Sequence, residues 1–291
     1  MNLAEVCEYW ARWQPDAVAM AKDGVEVTWA EFEQRTRRVG AGLWNQGVRP
    51  GDRVGILGLN SLAWCELAVA AIRLGAAAVP LNIRCTTPEL AFMVDSVRLA
   101  VIAYDSALAE RYTPLAGQRP DVLPVALDDR ADAPVTMAAL REHGESLPVV
   151  DIPGTDPAVI AFTSGTTGYP KGAVLTHHNL LATINSYTRF EGYSSRTAML
   201  CCVPLAFTGG MVNNFLTVYG VGGTLLLEEF DPVRALDLMV NYPVTAMTGV
   251  PIMYEGIAAV PGFDTADLSG LTTAITGGAL VPEALLRRYE A

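Results

Sequence analysis

The chain has 291 residues, 51% of them hydrophobic and 18% charged, which is enough to bury a large core and too apolar for a disordered chain. A formal net charge of -11 argues against a nucleic-acid binder, which usually presents a basic face. The length allows one large domain or two subdomains.

Strand-like and helix-like patterns alternate along the whole chain, so the fold class is α/β with parallel sheets covered by helices. The opening MNLAEVCEYWARW is amphipathic and acidic early, unlike a secretory leader. Thr28 begins the first clear helix, with Glu31 completing a capping box and Gly47 closing it. Gly40, Gly42 and Gly47 end a helix where a dinucleotide fingerprint would open one, so helix packing explains them better. Val54–Leu57 reads as a buried strand and Leu62–Leu74 as a helix. A cap with early proline follows at Thr87-Pro88-Glu89.

Further strands are expected at Val101–Tyr104 and Val122–Val125, and residues 131–154 read as an irregular surface connection. Beyond the glycine-rich stretch at 163–172, the expected order is helix His177–Tyr187, strand Met199–Val203, helix Met211–Tyr219 and strand Thr224–Leu227. Asp231-Pro232 then starts a helix, ahead of strand Val244–Met247, helix Pro251–Ala259, strand Thr272–Ile275 and helix Pro282–Glu290.

Five cysteines (Cys7, Cys65, Cys85, Cys201, Cys202) form no C-x-x-C pair, and Cys201 and Cys202 would face opposite sides of a strand. No metal ligands are assigned. The odd cysteine count reads as reduced thiols of a soluble cytoplasmic protein. Arg73 and Pro80 break the longest apolar stretch, Leu67–Leu81, so no integral membrane segment is expected.

The stretch Thr163–Gly172, TSGTTGYPKG, follows the apolar run Val159–Phe162 and carries the chemistry. Gly165, Gly168 and Gly172 loosen the backbone, Thr163, Ser164, Thr166 and Thr167 supply hydroxyls, and Lys171 supplies an ammonium. Backbone N–H groups, hydroxyls and one cation suit a loop that wraps polyphosphate oxygens. It is not a Walker loop, because Pro170 stands where the glycine before the lysine should be. Nor is Ser164 a nucleophile-elbow serine, since Phe162 holds the first-glycine position.

This stretch closely resembles the phosphate-binding signature of the AMP-forming acyl-CoA synthetase (adenylate-forming) superfamily, which includes acyl- and aryl-CoA ligases, luciferases and peptide-synthetase adenylation domains. The resemblance runs from about Val6 to Ala291. It implies ATP, magnesium (Mg2+) and CoA as reactants or cofactors, with the catalytic Lys171 neutralising the departing phosphates. Thr163, Ser164, Gly165, Thr166, Thr167 and Gly168 would hold the phosphates. Gly277, Gly278 and Ala279, in a family-like turn at a strand end, would let the adenylate approach the backbone.

Pro204–Gly210 is similar to the family's second signature, Pro-Leu-aromatic-His-x-x-Gly, with Phe207 in place of histidine and Ala206 in place of the aromatic. Phe207, Met211, Val212 and Phe215 would wall a pocket for a fatty or aromatic carboxylic acid. His177 and His178 match a Thr-His-x-Asn run and are expected to serve helix-terminal hydrogen bonding.

The resemblance further implies two parallel or mixed sheet subdomains in αβαβα layers. One covers 51–188, and the other joins 1–50 to 189–291. The family's Tyr-Gly-x-Thr-Glu segment and C-terminal lid domain do not appear, so the expectation is an incomplete adenylation domain with little activity alone. Apolar surface left by the shortened sheet would invite homodimerisation. A non-catalytic nucleotide-binding module and one half of a split ligase are the competing readings.

Overall fold

The computed structural model describes residues 2–290 except 117, 129, 131–132, 143–146 and 164–169. Helix α1 (Leu3–Trp13) leads into a hairpin of β1 (Val18–Lys22) and β2 (Val25–Thr28). Next come α2 (Trp29–Asn45), β3 (Arg53–Leu57), α3 (Leu62–Arg73) and β4 (Ala77–Pro80). They are followed by α4 (Thr87–Val97), β5 (Val101–Tyr104), α5 (Ala109–Ala116), β6 (Leu123–Ala126), β7 (Val135–Thr136) and α6 (Met137–Glu142).

Strands β8 (Pro157–Thr163) and β9 (Lys171–Thr176) form a hairpin ahead of α7 (His177–Phe190) and β10 (Ala198–Cys201). A π-helix, Gly209–Leu216, runs into α8 (Thr217–Val221). The described chain ends with β11 (Thr224–Leu227), α9 (Pro232–Asn241), β12 (Ala246–Gly249), α10 (Pro251–Ala258), β13 (Thr273–Thr276) and α11 (Glu283–Glu290).

Two sheets result. One has the order β7-β6-β5-β3-β4-β8-β9 and is parallel except for β9; the other has the order β13-β12-β10-β11-β1-β2 and is parallel except for β2. The alternation of patterns foretold the α/β class, and the two parallel or mixed sheets flanked by helices are what the resemblance implied. Strands between residues 53 and 176 make the first sheet, and strands at 18–28 and 198–276 make the second.

Helix α3 explains the layering. It touches β3 and β4 of one sheet and β1 of the other, so it has no solvent face. Ten of its residues are buried, among them Trp64, Leu67 and Ile72, and even Glu66 and Arg73 are enclosed. Each large apolar side chain buried there contributes about 1.5–3 kcal/mol. Apolar clusters on the outer face of each sheet complete the five layers. Cys201 belongs to the cluster between the sheets and Cys202 to an outer one, on opposite faces as the alternation requires.

Several sequence signals held. Thr28 and Glu31 form the capping box, Gly47 takes a φ of 96° after α2, and Asp231 caps α9 ahead of Pro232. Gly42 sits where α2 meets α6; a Cβ there would lie 2.6 Å from the Leu140 carbonyl oxygen and 2.8 Å from its Cα. Close helix packing is thus the reason for that glycine.

Residues 131–154 needed correction. This region is more than a surface connection: it holds β7 and α6, whose Met137 and Leu140 are buried against the core. The cap of α4 is Thr86, one residue earlier than expected. The β1–β2 hairpin, turned by Asp23 (φ 51°) and Gly24 (φ 77°), was not anticipated, although Asp-Gly between β-type runs is a hairpin signal.

Candidate active site

The glycine-rich stretch joins two antiparallel strands. Thr163 ends β8 and Lys171 opens β9; the two are cross-strand partners, and the Thr163 hydroxyl donates to the Lys171 carbonyl at 3.4 Å. Both residues are exposed. Ser164, Gly165, Thr166, Thr167 and Gly168 lie outside the described residues, so what is placed is the mouth of the loop. Strand β9, where no strand was expected before α7, makes Lys171 an edge-strand residue of the sheet.

Strands β10, β12 and β13 are parallel and end on one side of their sheet. There, the Gly277 N–H donates to the Gly249 carbonyl at 3.3 Å, and Gly278 adopts a φ of 79°, which suits glycine. Gly277, Gly278 and Ala279 are all exposed, and a Cβ on Gly277 would meet nothing within 4 Å. Just beneath, the buried Thr276 hydroxyl has no hydrogen-bond partner among the described residues. The Thr248 hydroxyl is drawn toward that of Tyr193, but the pair falls short of hydrogen-bond geometry. Open space thus lies over a glycine turn, with hydroxyls beneath it that are unpartnered among the described residues.

The Pro204–Gly210 turn follows β10. Gly210 is packed so tightly that a Cβ would lie 2.3 Å from the Pro204 carbonyl oxygen. The turn enters the π-helix, a feature frequent at functional sites. Of the proposed acid-pocket residues, Phe207 is 36% exposed, whereas Met211, Val212 and Phe215 are buried. Phe215 packs edge-on against Trp64 of α3, with ring centroids 6.4 Å apart.

Asn60 is the residue that sequence reasoning missed. It lies between β3 and α3 and is buried. Its Nδ2 donates to the Val203 carbonyl at 3.1 Å, while its Oδ1 accepts from the Leu205 N–H at 2.8 Å. One amide therefore ties the end of β3, in one sheet, to the turn after β10, in the other. Asp105 holds the same loop by accepting from the Leu59 N–H at 2.6 Å, and burial pushes its carboxyl above the usual range. No local pattern marks Asn60, because its partners lie more than 140 residues away.

The His177 imidazole serves a helix terminus, that of α1 and not of its own helix. His177 is fully buried, and its Nδ1 accepts from the Leu3 N–H at 3.2 Å. Nδ1 must then be unprotonated, leaving the proton on Nε2. Burial lowers its pKa below the ordinary 6.5, and the neighbouring Asp156 and His178 act in opposite senses. The unfolded chain takes up this proton near pH 6.5 and the folded chain does not. Stability is therefore complete above that pH and falls as pH drops through it. The urea midpoint is expected to fall between pH 7.5 and 5.5, and by less in His177→Asn.

Comparison with known proteins agrees with this geometry. Residues 7–291 match the family described as AMP-binding enzyme. Feruloyl-CoA synthase from an Amycolatopsis species is 37% identical over 281 residues, covering 96% of this chain and 55% of that protein. The long-chain-fatty-acid–CoA ligase FadD13 of Mycobacterium tuberculosis is 30% identical over 267 residues, covering 92% and 53%.

Among solved structures, the inhibitor-bound N-terminal domain of FACL13 from Mycobacterium tuberculosis is similar at a TM-score of 0.87 and 27% identity, covering 99% of this chain and 73% of that one. Anthranilate CoA ligase AuaEII, in complex with anthranoyl-AMP, shares the fold at a TM-score of 0.92 and 22% identity. The chain spans about half the length of the curated relatives it matches. The family match over residues 7–291 establishes that the chain belongs to the AMP-binding enzyme family.

Proposed function

We propose that this chain supplies the nucleotide- and acid-binding part of an acyl-CoA ligase. The whole reaction is two-step: a carboxylate attacks the α-phosphate of ATP to give an acyl-adenylate and pyrophosphate, and the CoA thiolate then displaces AMP. The observation that carries the reading is the exposed Thr163–Lys171 pair bracketing the glycine-rich stretch at the turn end of a β-hairpin.

In this reading the Lys171 ammonium offsets charge on the β/γ-phosphates as pyrophosphate leaves. Loop N–H groups and the hydroxyls of Thr163, Ser164, Thr166 and Thr167 bind its oxygens. Gly277, Gly278 and Ala279 would seat the adenosine part, where the open space above Gly277 fits a flat ring. Phe207 has the accessible ring for contact with the acid; Met211, Val212 and Phe215 would shape the pocket from behind. A fatty or aromatic acid suits such a wall.

Magnesium, when bound with the nucleotide, would offset phosphate charge. No residue of this chain is assigned to it, since the described residues hold no group of three or more carboxylate, imidazole or thiolate ligands. We further propose subdomains of 51–188 and of 1–50 with 189–291, and a cytoplasmic setting for the five free thiols. Among the described residues no helix is long and apolar enough to cross a membrane.

Calorimetric titration with MgATP tests the reading. The 291-residue chain is expected to bind ATP, and Lys171→Gln to weaken binding about tenfold, the worth of one charge-assisted contact. Carboxylate-dependent ATP–pyrophosphate exchange by the chain alone should be slight, because positioning supplies much of such a rate. Equal affinity in both proteins, or no binding in either, would refute the assignment.

A further inference from the structure

The β1–β2 turn, α2, the start of α3 and the end of α6 enclose a cleft of about 430 Å³, away from the glycine-rich loop. Its floor is Glu66, whose side chain is 1% exposed, and Lys22, Arg35 and Arg141 line its walls. Arg141 grips one oxygen of that carboxylate, Oε2, through Nε at 2.8 Å and Nη2 at 2.6 Å. Arg35 is held far more loosely. Its Nη1 stands 3.5 Å from Oε1, and it makes no other polar contact among the described residues. Lys22 lies 3.6 Å from Asp23.

Three cations thus share the cleft with two carboxylates, leaving one positive charge in excess within a protein of net charge -11. The Arg35 and Lys22 side chains are 34% and 19% exposed, so neither charge is fully hydrated. On the same walls, Leu62 and Ala63 add an apolar face.

We propose that this cleft is a second anion site that takes a phosphate monoester. The Arg35 guanidinium offers its planar fork to two phosphate oxygens, and Lys22 adds a point charge from the facing hairpin. The cleft is larger than one oxyanion needs, and its apolar face accepts the organic group of the ester. Glu66 keeps Arg141 aligned and excludes ligands that would need all three cations. Arg35 stands on α2 and Lys22 ends β1, so an occupant ties the hairpin to that helix.

Titration of the 291-residue chain with inorganic phosphate and with phenyl phosphate at fixed ionic strength, followed by 31P line broadening and calorimetry, tests this. The expected result is saturable binding with a Kd of about 1 mM or below for phenyl phosphate, and roughly fivefold weaker binding for inorganic phosphate. Arg35→Gln and Lys22→Gln should each weaken binding roughly tenfold. Arg12→Gln should leave it unchanged. Thermal melts establish that the variants fold; Lys22→Gln carries the test should Arg35→Gln be unstable. Absence of saturation, or binding lost in Lys171→Gln and kept in Arg35→Gln, overturns the proposal. Inorganic phosphate matching phenyl phosphate overturns the monoester assignment.

Discussion

Replacing Arg141 with alanine is expected to lower the unfolding free energy by about 3 kcal/mol, the lower end of the range for stranding one partner of a buried ion pair. Glu66 sits on α3, the helix enclosed by both sheets, and its carboxylate is 1% exposed. Arg141 reaches it from α6 with two hydrogen bonds to a single oxygen. Without that fork, the carboxylate keeps only Arg35, at 3.5 Å. A contact that long, made by a half-exposed guanidinium, cannot take over the lost interaction, so Arg35→Ala alone should cost less than about 1 kcal/mol. The double variant Glu66→Gln with Arg141→Ala should recover part of the loss, because no charge is then left stranded. Urea unfolding of the three proteins decides it. A loss under about 1 kcal/mol for Arg141→Ala would show that α6 does not brace α3.

Asn60→Ala should cost about 2–3 kcal/mol and loosen the Pro204–Gly210 turn. The side chain is one of few polar groups linking the two sheets, and it uses both its donor and its acceptor. Alanine removes the amide and leaves the Val203 carbonyl and the Leu205 N–H without partners in a poorly solvated place. Asn60→Asp restores the acceptor for Leu205 but strands the Val203 carbonyl and buries a charge, so it should be no better at pH 7. In both variants the ring of Phe207, three residues from Pro204, loses its fixed position. Fluorescence quenching by an aromatic acid together with urea unfolding measures both effects. Unchanged stability and unchanged acid binding in Asn60→Ala would show that the two sheets are held at this point by other contacts.

Local signals made most of the fold legible. Thr28 with Glu31, Gly47, and Asp231 with Pro232 announce helix ends through chemistry confined to a few residues, and each was found where expected. The signals failed where long-range packing decides. Residues 131–154 look irregular in sequence, yet Leu140 is fixed against Gly42 and Arg141 against Glu66, partners about 75–100 positions away. Strand β9 was missed because Lys171-Gly172-Ala173 has weak strand character; its pairing with Ala161 through Thr163 of β8 creates the strand.

The site divides in the same way. The Gly277-Gly278 turn is legible because Gly278 takes a positive φ of 79°. Asn60 is not, because its role exists only once the two sheets meet. The burial of Phe215 likewise follows from its packing against Trp64 of α3, which no periodicity in 209–216 could disclose.

The central claim is that the β8–β9 hairpin end grips the phosphates of a nucleotide. Amide hydrogen exchange with and without MgATP, read residue by residue, tests it most directly. The account predicts slowed exchange concentrated between Thr163 and Gly172, with a weaker effect at Gly277 and Gly278, and both reduced in Lys171→Gln at the same subsaturating MgATP concentration. Nucleotide-dependent protection that leaves 163–172 unchanged and falls elsewhere would contradict it.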